Sequence, residues 1–341
     1  MVDKKRNCLN LIRLLAAIQV FFGHAIPAFS LSLPLPLRAI FSFLCIFEGV
    51  PVFFCLSGFL LWDSIKKTPS LKVYAKKRIF RLYPELWCGV AVNFILVAIL
   101  FAQNIEWVSY IAFQFTQATV LQFWTPASLD GYATGNPNGP LWTVSVLVQA
   151  YIALWFLHKF LRGKGLKRWI PTLILTASVN LLRPLFSGIL PSMVYKLTFY
   201  MFTTHIWLFL VGAFMCEYFD VLIGWLKKFW WLALAISQVA MHTGFDYGTY
   251  GTVKCLFLAI GVIGLGYALP MLSIKHDFSY GFYIYHMIVI NVMVHFGCAG
   301  STWWLLVSFL ASAALAVISY FTTGAISRHL RARASEEIKI N

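Results

Sequence analysis

The chain has 341 residues, of which 60% are hydrophobic and 17% aromatic, whereas only 11% carry a charge. Soluble domains contain about 25% charged residues, so this composition excludes an ordinary soluble protein and predicts a polytopic membrane protein. The net charge of +15 does not indicate a nucleic-acid partner, because the basic residues stand in short clusters between apolar spans, as membrane orientation requires.

Ten apolar segments are long enough to cross a bilayer, and they predict an all-α fold in one integral-membrane domain over residues 1–341. A further segment, residues 106–124, is apolar but interrupted by Gln and Thr, and we interpret it as an interfacial or re-entrant helix. A genuine span there would reverse every later orientation. The ten predicted spans are residues 9–28, 39–62, 85–102, 140–158, 169–186, 196–216, 229–243, 255–272, 278–297 and 302–326.

The basic residues give these spans a direction. If both termini are cytoplasmic, the inner segments hold nearly all of the Lys and Arg residues, and this asymmetry satisfies the positive-inside rule. The charged start of the chain resembles a signal peptide, but no small-residue cleavage site follows, so we expect an uncleaved first helix. The outer segments then hold only Arg38, Arg183, Lys196 and Lys254.

The first span contains two ionisable side chains, Arg13 and His24. At the helical repeat they lie on one face, about 16 Å apart along the axis. Ionisable groups inside a membrane are costly and commonly mark a functional site. Each also has a structural explanation, since Arg13 could reach the headgroups and His24 could be a helix contact. As a catalytic group, His24 suits a general base.

The second span carries an acidic residue, Glu48, at a depth comparable to that of His24. A carboxylate beside the imidazole would fix its tautomer and strengthen it as a base. The alternative is a protonated Glu48 that is bonded to helix backbone. The same span contains Pro51, which predicts a helix bend, and a Ser57-Gly58 pair, which favours close helix packing.

A basic cluster follows in the predicted inner loop, where residues 74–85 predict a short helix. Arg78 and Arg81 lie one turn apart on this helix, with Lys77 beside them. Guanidinium groups offer paired donors to phosphate oxygens, so the cluster could bind a phosphorylated ligand. The alternative is ordinary positive-inside charge or contact with anionic lipid.

The outer segment that leads into the fourth span is rich in turn residues and contains Trp142, Thr143 and Ser145. A Trp followed by hydroxyl side chains could stack on a sugar and hydrogen-bond it, whereas the alternative is an interfacial aromatic belt. With them we count Asn138 and Gln149 as candidate substrate contacts.

A second intramembrane histidine, His286, lies in a Tyr-rich stretch near the end of the chain. It is a further candidate substrate contact, and its alternative role is Tyr–His packing. The seven Cys residues show no ligand spacing, so we interpret them as small core residues and expect no metal.

Together these segments resemble acyltransferase family 3, which includes bacterial polysaccharide and nodulation-factor O-acetyltransferases. The resemblance covers the whole chain, and its motifs occur in the family's order. The matching elements are Arg13 and His24 with ten residues between them, residues 49–58, Arg78-x-x-Arg81-x-x-Pro84, Pro140-Leu-Trp142 with Ser145, and residues 278–286.

The chain departs from the family pattern at two places. Relatives commonly carry acidic residues shortly after the Trp-Ser segment, where this chain has Leu147 and Val148, and many have Asp in place of Pro51. Glu48 or Glu85 could take the role of these acids, or the mechanism does not need them.

The resemblance implies a multi-pass protein of the bacterial cytoplasmic membrane that moves an acetyl group from acetyl-CoA to a hydroxyl of a glycan or lipid-linked saccharide outside. In this assignment Arg78, Arg81 and Lys77 hold the CoA phosphates and Arg13 holds the donor near its entrance. His24 deprotonates the acceptor hydroxyl or transiently carries the acyl group.

Two other classes of function fit the sequence. A transporter or flippase of a lipid-linked glycan or small solute would use intramembrane His and Arg as a proton or anion path. A receptor or scaffold would need no chemistry at all. The absence of a visible internal repeat counts mildly against a transporter.

Overall fold

The structure is a computed structural model that describes residues 3–68, 70–243 and 246–340. The regular elements of these residues are all helical, which confirms the predicted all-α class for this part of the chain. The α-helices α1 to α14 are, in chain order, Leu9–Ala28, Leu35–Leu44, Gly49–Lys66, Leu71–Leu100, Trp107–Gln117, Trp142–Leu161, Leu166–Leu182, Ser192–Tyr200, Phe202–Glu217, Phe219–His242, Thr252–Ala268, Ser279–His295, Thr302–Phe321 and Thr323–Ile340.

Seven helical segments of the described residues are long and apolar enough to cross a membrane. They coincide with seven of the ten predicted spans and indicate a multi-pass membrane protein. The other three predicted spans are helical too, as α10, α11 and α12, but α11 and α12 have only 17 residues each. The count of ten spans and the orientation of the termini stay predictions. The seven segments are Leu9–Ala28, Leu35–Lys66, Leu71–Leu100, Gly139–Leu161, Leu166–Phe186, Ser192–Glu217 and Thr302–Glu336.

The bend predicted at Pro51 occurs three residues earlier. A 3₁₀ turn, Cys45–Phe47, ends at Glu48, whose backbone leaves helical geometry (φ −48°, ψ 114°) before α3 begins. Pro51 lies in the first turn of α3, where a helix does not need the missing N–H, so the proline starts this helix without bending it.

The arginine motif does not lie on a short loop helix. Helix α4 begins at Leu71, where the Ser70 side chain caps it by accepting from the backbone N–H of Val73, and it continues for 30 residues. Arg78 and Arg81 therefore stand within the first eleven residues of a long helix that continues into the apolar segment. Pro84 lies within α4 without ending it.

Helix α5 explains the ambiguous segment at residues 106–124. It has 11 residues, about 17 Å of helix, which is too short to cross a bilayer. The Glu106 carboxylate caps it by accepting from the backbone N–H groups of Val108 and Ser109. Tyr110 and Phe113 anchor it in a small core with Leu129. The length of α5 therefore favours the interfacial or re-entrant interpretation.

The chain divides into two compact units. In the first unit α3 packs against α9, and α10 packs against α11. In the second unit α4 packs against α12 and α14, and α13 packs against α12. The first unit consists of Met1–Ala16, Leu44–Pro69 and Val146–His276, and the second of Ala17–Phe43, Ser70–Ser145 and Asp277–Asn341.

Two glycines in the first unit let a pair of helix backbones approach closely. A Cβ at Gly58 on α3 would overlap the backbone carbonyl of Phe209, and a Cβ at Gly212 on α9 would overlap that of Cys55. This contact confirms the close packing predicted for Gly58, since only a residue without a Cβ fits there.

We expect Gly58→Leu to destabilise the protein by about 1–3 kcal/mol, because the new side chain must push α3 and α9 apart. The measurement is the temperature at which the detergent-purified protein loses its monodisperse size-exclusion peak. Gly224→Leu on α10 is the matched control, since a Cβ there meets no atom within 4 Å. An equal transition temperature for the two variants would contradict the helix contact.

Candidate functional site

His24 lies on α1 with one ring nitrogen fixed by the backbone. Its Nδ1 is 2.8 Å from the carbonyl oxygen of Val20, one turn earlier. A carbonyl oxygen can only accept, so Nδ1 carries the hydrogen and donates it. The neutral ring therefore holds its lone pair on Nε2, which is the atom able to take a proton or to attack a carbonyl carbon.

A second imidazole, that of His286 on α12, lies beside His24. The two ring centroids are 5.4 Å apart, and the rings are inclined by 46°. His286 is fully buried, and its Nδ1 is 2.7 Å from the carbonyl oxygen of Tyr283. By the same reasoning its Nε2 is an acceptor, and this buried atom has no hydrogen-bond partner among the described residues.

The loop before α6 is held on α12 near these histidines. The Asn138 side chain is 2% exposed, and its Nδ2 donates to the carbonyl oxygen of Ile284 at 3.1 Å. The Tyr283 hydroxyl donates to the carbonyl oxygen of Pro140 at 2.7 Å, and it lies 2.7 Å from the Thr143 hydroxyl.

Asn138 resembles His286 in one respect. Its Nδ2 is engaged, so its Oδ1 is an acceptor, and this atom too is buried without a partner among the described residues. The two side chains are anchored on the adjacent carbonyls of Tyr283 and Ile284. Buried acceptors normally have donors, so this part of the second unit is suited to a ligand with hydroxyl groups.

Two of the predicted substrate residues of α6, Trp142 and Ser145, differ in their burial. Trp142 is the first residue of α6 and is half-buried. Ser145 is fully buried, and its hydroxyl donates to the carbonyl oxygen of Val120 at 2.5 Å. The Ser145 hydroxyl thus donates a hydrogen bond to the backbone, and its role toward substrate stays a prediction.

The basic group on α4 has partners within the second unit, both on α4 itself and in the loop before α12. Arg81 pairs with Asp277 at 3.4 Å, and the Arg78 guanidinium lies 5.6 Å from the centre of the Tyr74 ring. Lys77, beside Arg78, is half-buried. The carboxylate of Glu85, one turn beyond Arg81, accepts from the Ser319 hydroxyl at 3.3 Å.

Three predicted site residues belong to the first unit. Arg13 is half-buried on α1. The Glu48 carboxylate pairs with the ammonium group of Lys254 at 2.7 Å, so its charge has a partner that the sequence did not indicate. The Gln149 amide spans the break between α8 and α9, donating to the carbonyl of Tyr200 and accepting from the N–H of Phe202. The catalytic role of Glu48 and the substrate role of Gln149 stay predictions.

The chain is similar in sequence to known proteins over nearly its whole length. A family model described as an acyltransferase domain matches residues 6–323 of the chain. Nodulation protein 10 of Rhizobium leguminosarum bv. viciae is 29% identical over 92% of this chain and 91% of its own length. An O-acetyl transferase of Shigella phage Sf6 is 24% identical over 99% of each chain. No solved structure shows a significant match.

Proposed function

This chain belongs to acyltransferase family 3, and we propose that it transfers an acetyl or other acyl group from cytoplasmic acyl-CoA to a hydroxyl of an extracytoplasmic or lipid-linked glycan. The family match and the apolar helices make it a membrane acyltransferase. The name of the phage relative, an O-acetyl transferase, supports acetyl as the transferred group. The proposed location is the bacterial cytoplasmic membrane.

The observation that carries the proposal is the hydrogen bond that fixes the tautomer of His24. Acyl transfer to a hydroxyl needs a group that removes the hydroxyl proton or that accepts the acyl group itself. Because Nδ1 is committed to Val20, Nε2 is the basic atom and needs no tautomer change before the reaction.

The donor end is assigned to the basic group on α4. Arg78, Arg81 and Lys77 would bind the phosphates of CoA, because guanidinium and ammonium groups form charge-assisted hydrogen bonds with phosphate oxygens. Arg13, about three turns before His24 on α1, keeps the role that the resemblance implies, near the entrance of the donor. Their half-buried positions support this role, since partial burial strengthens such contacts.

The acceptor end is assigned to the loop before α6 and to the part of α12 on which it lies. The unpartnered acceptors Asn138 Oδ1 and His286 Nε2 fit saccharide hydroxyl groups, which would donate to them. Trp142 would stack on a sugar face. Ser145 belongs to the proposed set as well, and the substrate role of Gln149, which lies in the first unit, stays a prediction from the sequence.

In the direct version of the reaction, the acceptor hydroxyl gives its proton to His24 Nε2 and its oxygen attacks the thioester carbonyl. The carbon–sulfur bond breaks, and the thiolate of CoA takes the proton from His24. In the second version, Nε2 itself attacks the thioester carbonyl, the carbon–sulfur bond breaks, and CoA leaves as a thiolate from an acyl-imidazolium. The acceptor hydroxyl then attacks the acyl carbon, the carbon–nitrogen bond breaks, and the hydroxyl proton goes to the CoA thiolate, so that His24 returns to its neutral form.

The test uses the detergent-purified full chain with acetyl-CoA labelled on the acetyl group. Transfer of label to a lipid-linked saccharide is the result expected from the proposal. Label bound to the protein without an acceptor, and lost in His24→Ala, identifies the acyl-carrier version; active transfer without such label identifies the direct version. Saccharide movement across reconstituted vesicles with no label transferred would replace the proposal by a transporter.

A further inference from the structure

The loop before α6 follows α12 over several helical turns. Near the end of α12, the ring of His295 lies 5.5 Å from that of Tyr132. Further along the loop, the Asn138 amide donates to the carbonyl oxygen of Ile284. These two contacts lie about 16 Å apart along the axis of α12. The segment that they hold, residues 132–140, is called the 132–140 loop below.

Between these contacts, the side chain of Asn291 on α12 binds the loop through all of its polar positions. Asn291 is fully buried. Its Oδ1 accepts from the Thr134 hydroxyl at 2.7 Å and from the Thr134 backbone N–H at 3.3 Å. Its Nδ2 donates to the carbonyl oxygens of Asn136 at 3.0 Å and Pro137 at 2.9 Å. Both hydrogens and both lone pairs of the amide are therefore engaged with the 132–140 loop.

Two of these bonds end on the residues directly before Asn138. The Nδ2 of Asn138 is engaged with Ile284, so its buried Oδ1, which has no partner among the described residues, is the atom that can accept a saccharide hydroxyl. The backbone that leads into Asn138 determines where this oxygen lies. Because Asn291 binds the carbonyls of Asn136 and Pro137, it controls that backbone without having a polar position left for the ligand itself.

The backbone of the 132–140 loop adopts left-handed conformations on both sides of Thr134. The φ angle is 48° at Ala133 and 78° at Gly135. A residue with a Cβ is less stable in this region and keeps such a conformation where surrounding contacts compensate for it. Thr134 makes two of the four bonds to Asn291, so this contact supplies the compensation.

We propose that Asn291 is a positioning residue for the acceptor, which holds the 132–140 loop so that Asn138 Oδ1 meets a hydroxyl of the saccharide. This inference rests on the proposed function, which gives Asn138 its saccharide contact. Asn291 takes no part in the chemical step. Donor binding is independent of it, because the donor end is assigned to α4. Loss of Asn291 therefore weakens the use of the saccharide and not the use of acyl-CoA.

The experiment measures the saccharide concentration needed for half-maximal label transfer from saturating acetyl-CoA to the detergent-purified full chain's acceptor. The probe is total lipid-linked saccharide extracted from a strain that lacks the protein. Asn291→Ala is expected to raise this concentration about tenfold, the scale of one well-placed hydrogen bond. The acetyl-CoA concentration for half-maximal rate should stay as in wild type.

A pair of loop variants tests the same contact if Asn291→Ala does not accumulate. Thr134→Val removes the hydroxyl that donates to Asn291 Oδ1 and should raise the saccharide requirement several-fold. Thr134→Ser keeps the hydroxyl and should restore the wild-type requirement. A rise in Thr134→Ser equal to that in Thr134→Val would contradict the role of this hydrogen bond.

Asn180→Ala on α7 is the matched control. Asn180 is likewise fully buried and also holds a loop, through the Thr252 hydroxyl and the backbone N–H of Thr249. Its replacement should lower the temperature at which the protein unfolds and leave the saccharide requirement unchanged. An equal rise of that requirement in Asn180→Ala and Asn291→Ala would show general loosening of the fold and overturn the inference.

A double variant separates positioning from an independent contribution to the fold. If Asn291 acts through Asn138, the combination of Asn291→Ala with Asn138→Ala should need no more saccharide than Asn138→Ala alone. Additive effects overturn the inference, and so does a wild-type saccharide requirement in either single variant. A parallel rise in the acetyl-CoA requirement of Asn291→Ala overturns it as well. Wild type that transfers no label removes the proposed function instead.

Discussion

Replacing His24 with alanine should reduce acyl transfer about a thousandfold, the scale on which a positioned general base contributes. If His24 carries the acyl group, the loss should be complete. The fold should survive, because the ring's observed bonds are one contact to Val20 and the neighbouring ring of His286. The measurement is the rate of label transfer from acetyl-CoA at equal amounts of membrane-inserted protein.

His242→Ala is the control for this substitution. His242 is exposed in the last turn of α10, so its loss tests the effect of removing a histidine without touching the site. A normal transfer rate in His24→Ala would remove His24 from the mechanism, and so would an equal loss in both variants.

Replacing Arg78 and Arg81 together with glutamine should raise the acyl-CoA concentration needed for half-maximal rate by more than tenfold. Each guanidinium–phosphate contact contributes about 1.5–3 kcal/mol, and in the proposed assignment the two arginines make these contacts with the donor and not with the acceptor. The maximal rate at saturating donor should change much less, because the proposed assignment places neither residue at the reacting atoms.

Lys72→Gln provides the matched control on the same helix, since Lys72 is exposed in the first turn of α4. If the acyl-CoA concentration for half-maximal rate is unchanged in the double variant, Arg78 and Arg81 do not bind the donor. Their charge then serves only to orient the chain in the membrane. A loss of maximal rate with an unchanged donor requirement would also contradict a phosphate-binding role.

The sequence predicts the apolar helices well, because a stretch of about twenty hydrophobic residues has few other stable states. It predicts the position of a break less well. Pro51 indicated a bend, but its effect depends on where the helix begins, and the chain had already turned at Glu48. The start of α4 was also predicted wrongly. The sequence analysis separated a short basic helix from the apolar span that follows, whereas the two segments form one continuous helix.

Pairs of distant residues were the hardest part to predict. Lys254 is separated from Glu48 by most of the chain, and nothing local distinguishes it from an ordinary outer lysine. The anchoring of Asn138 on α12 depends on the path of a loop, which turn residues limit but do not determine.

The most direct test of the central claim compares surface polysaccharide from three otherwise identical strains by mass spectrometry. One strain makes the wild-type chain, one makes His24→Ala at the same level, and one lacks the protein. The account predicts an acyl mass increment on a glycan in the wild-type strain and no such increment in the other two. The same increment in the His24→Ala strain, or identical glycan masses in all three strains, would contradict it.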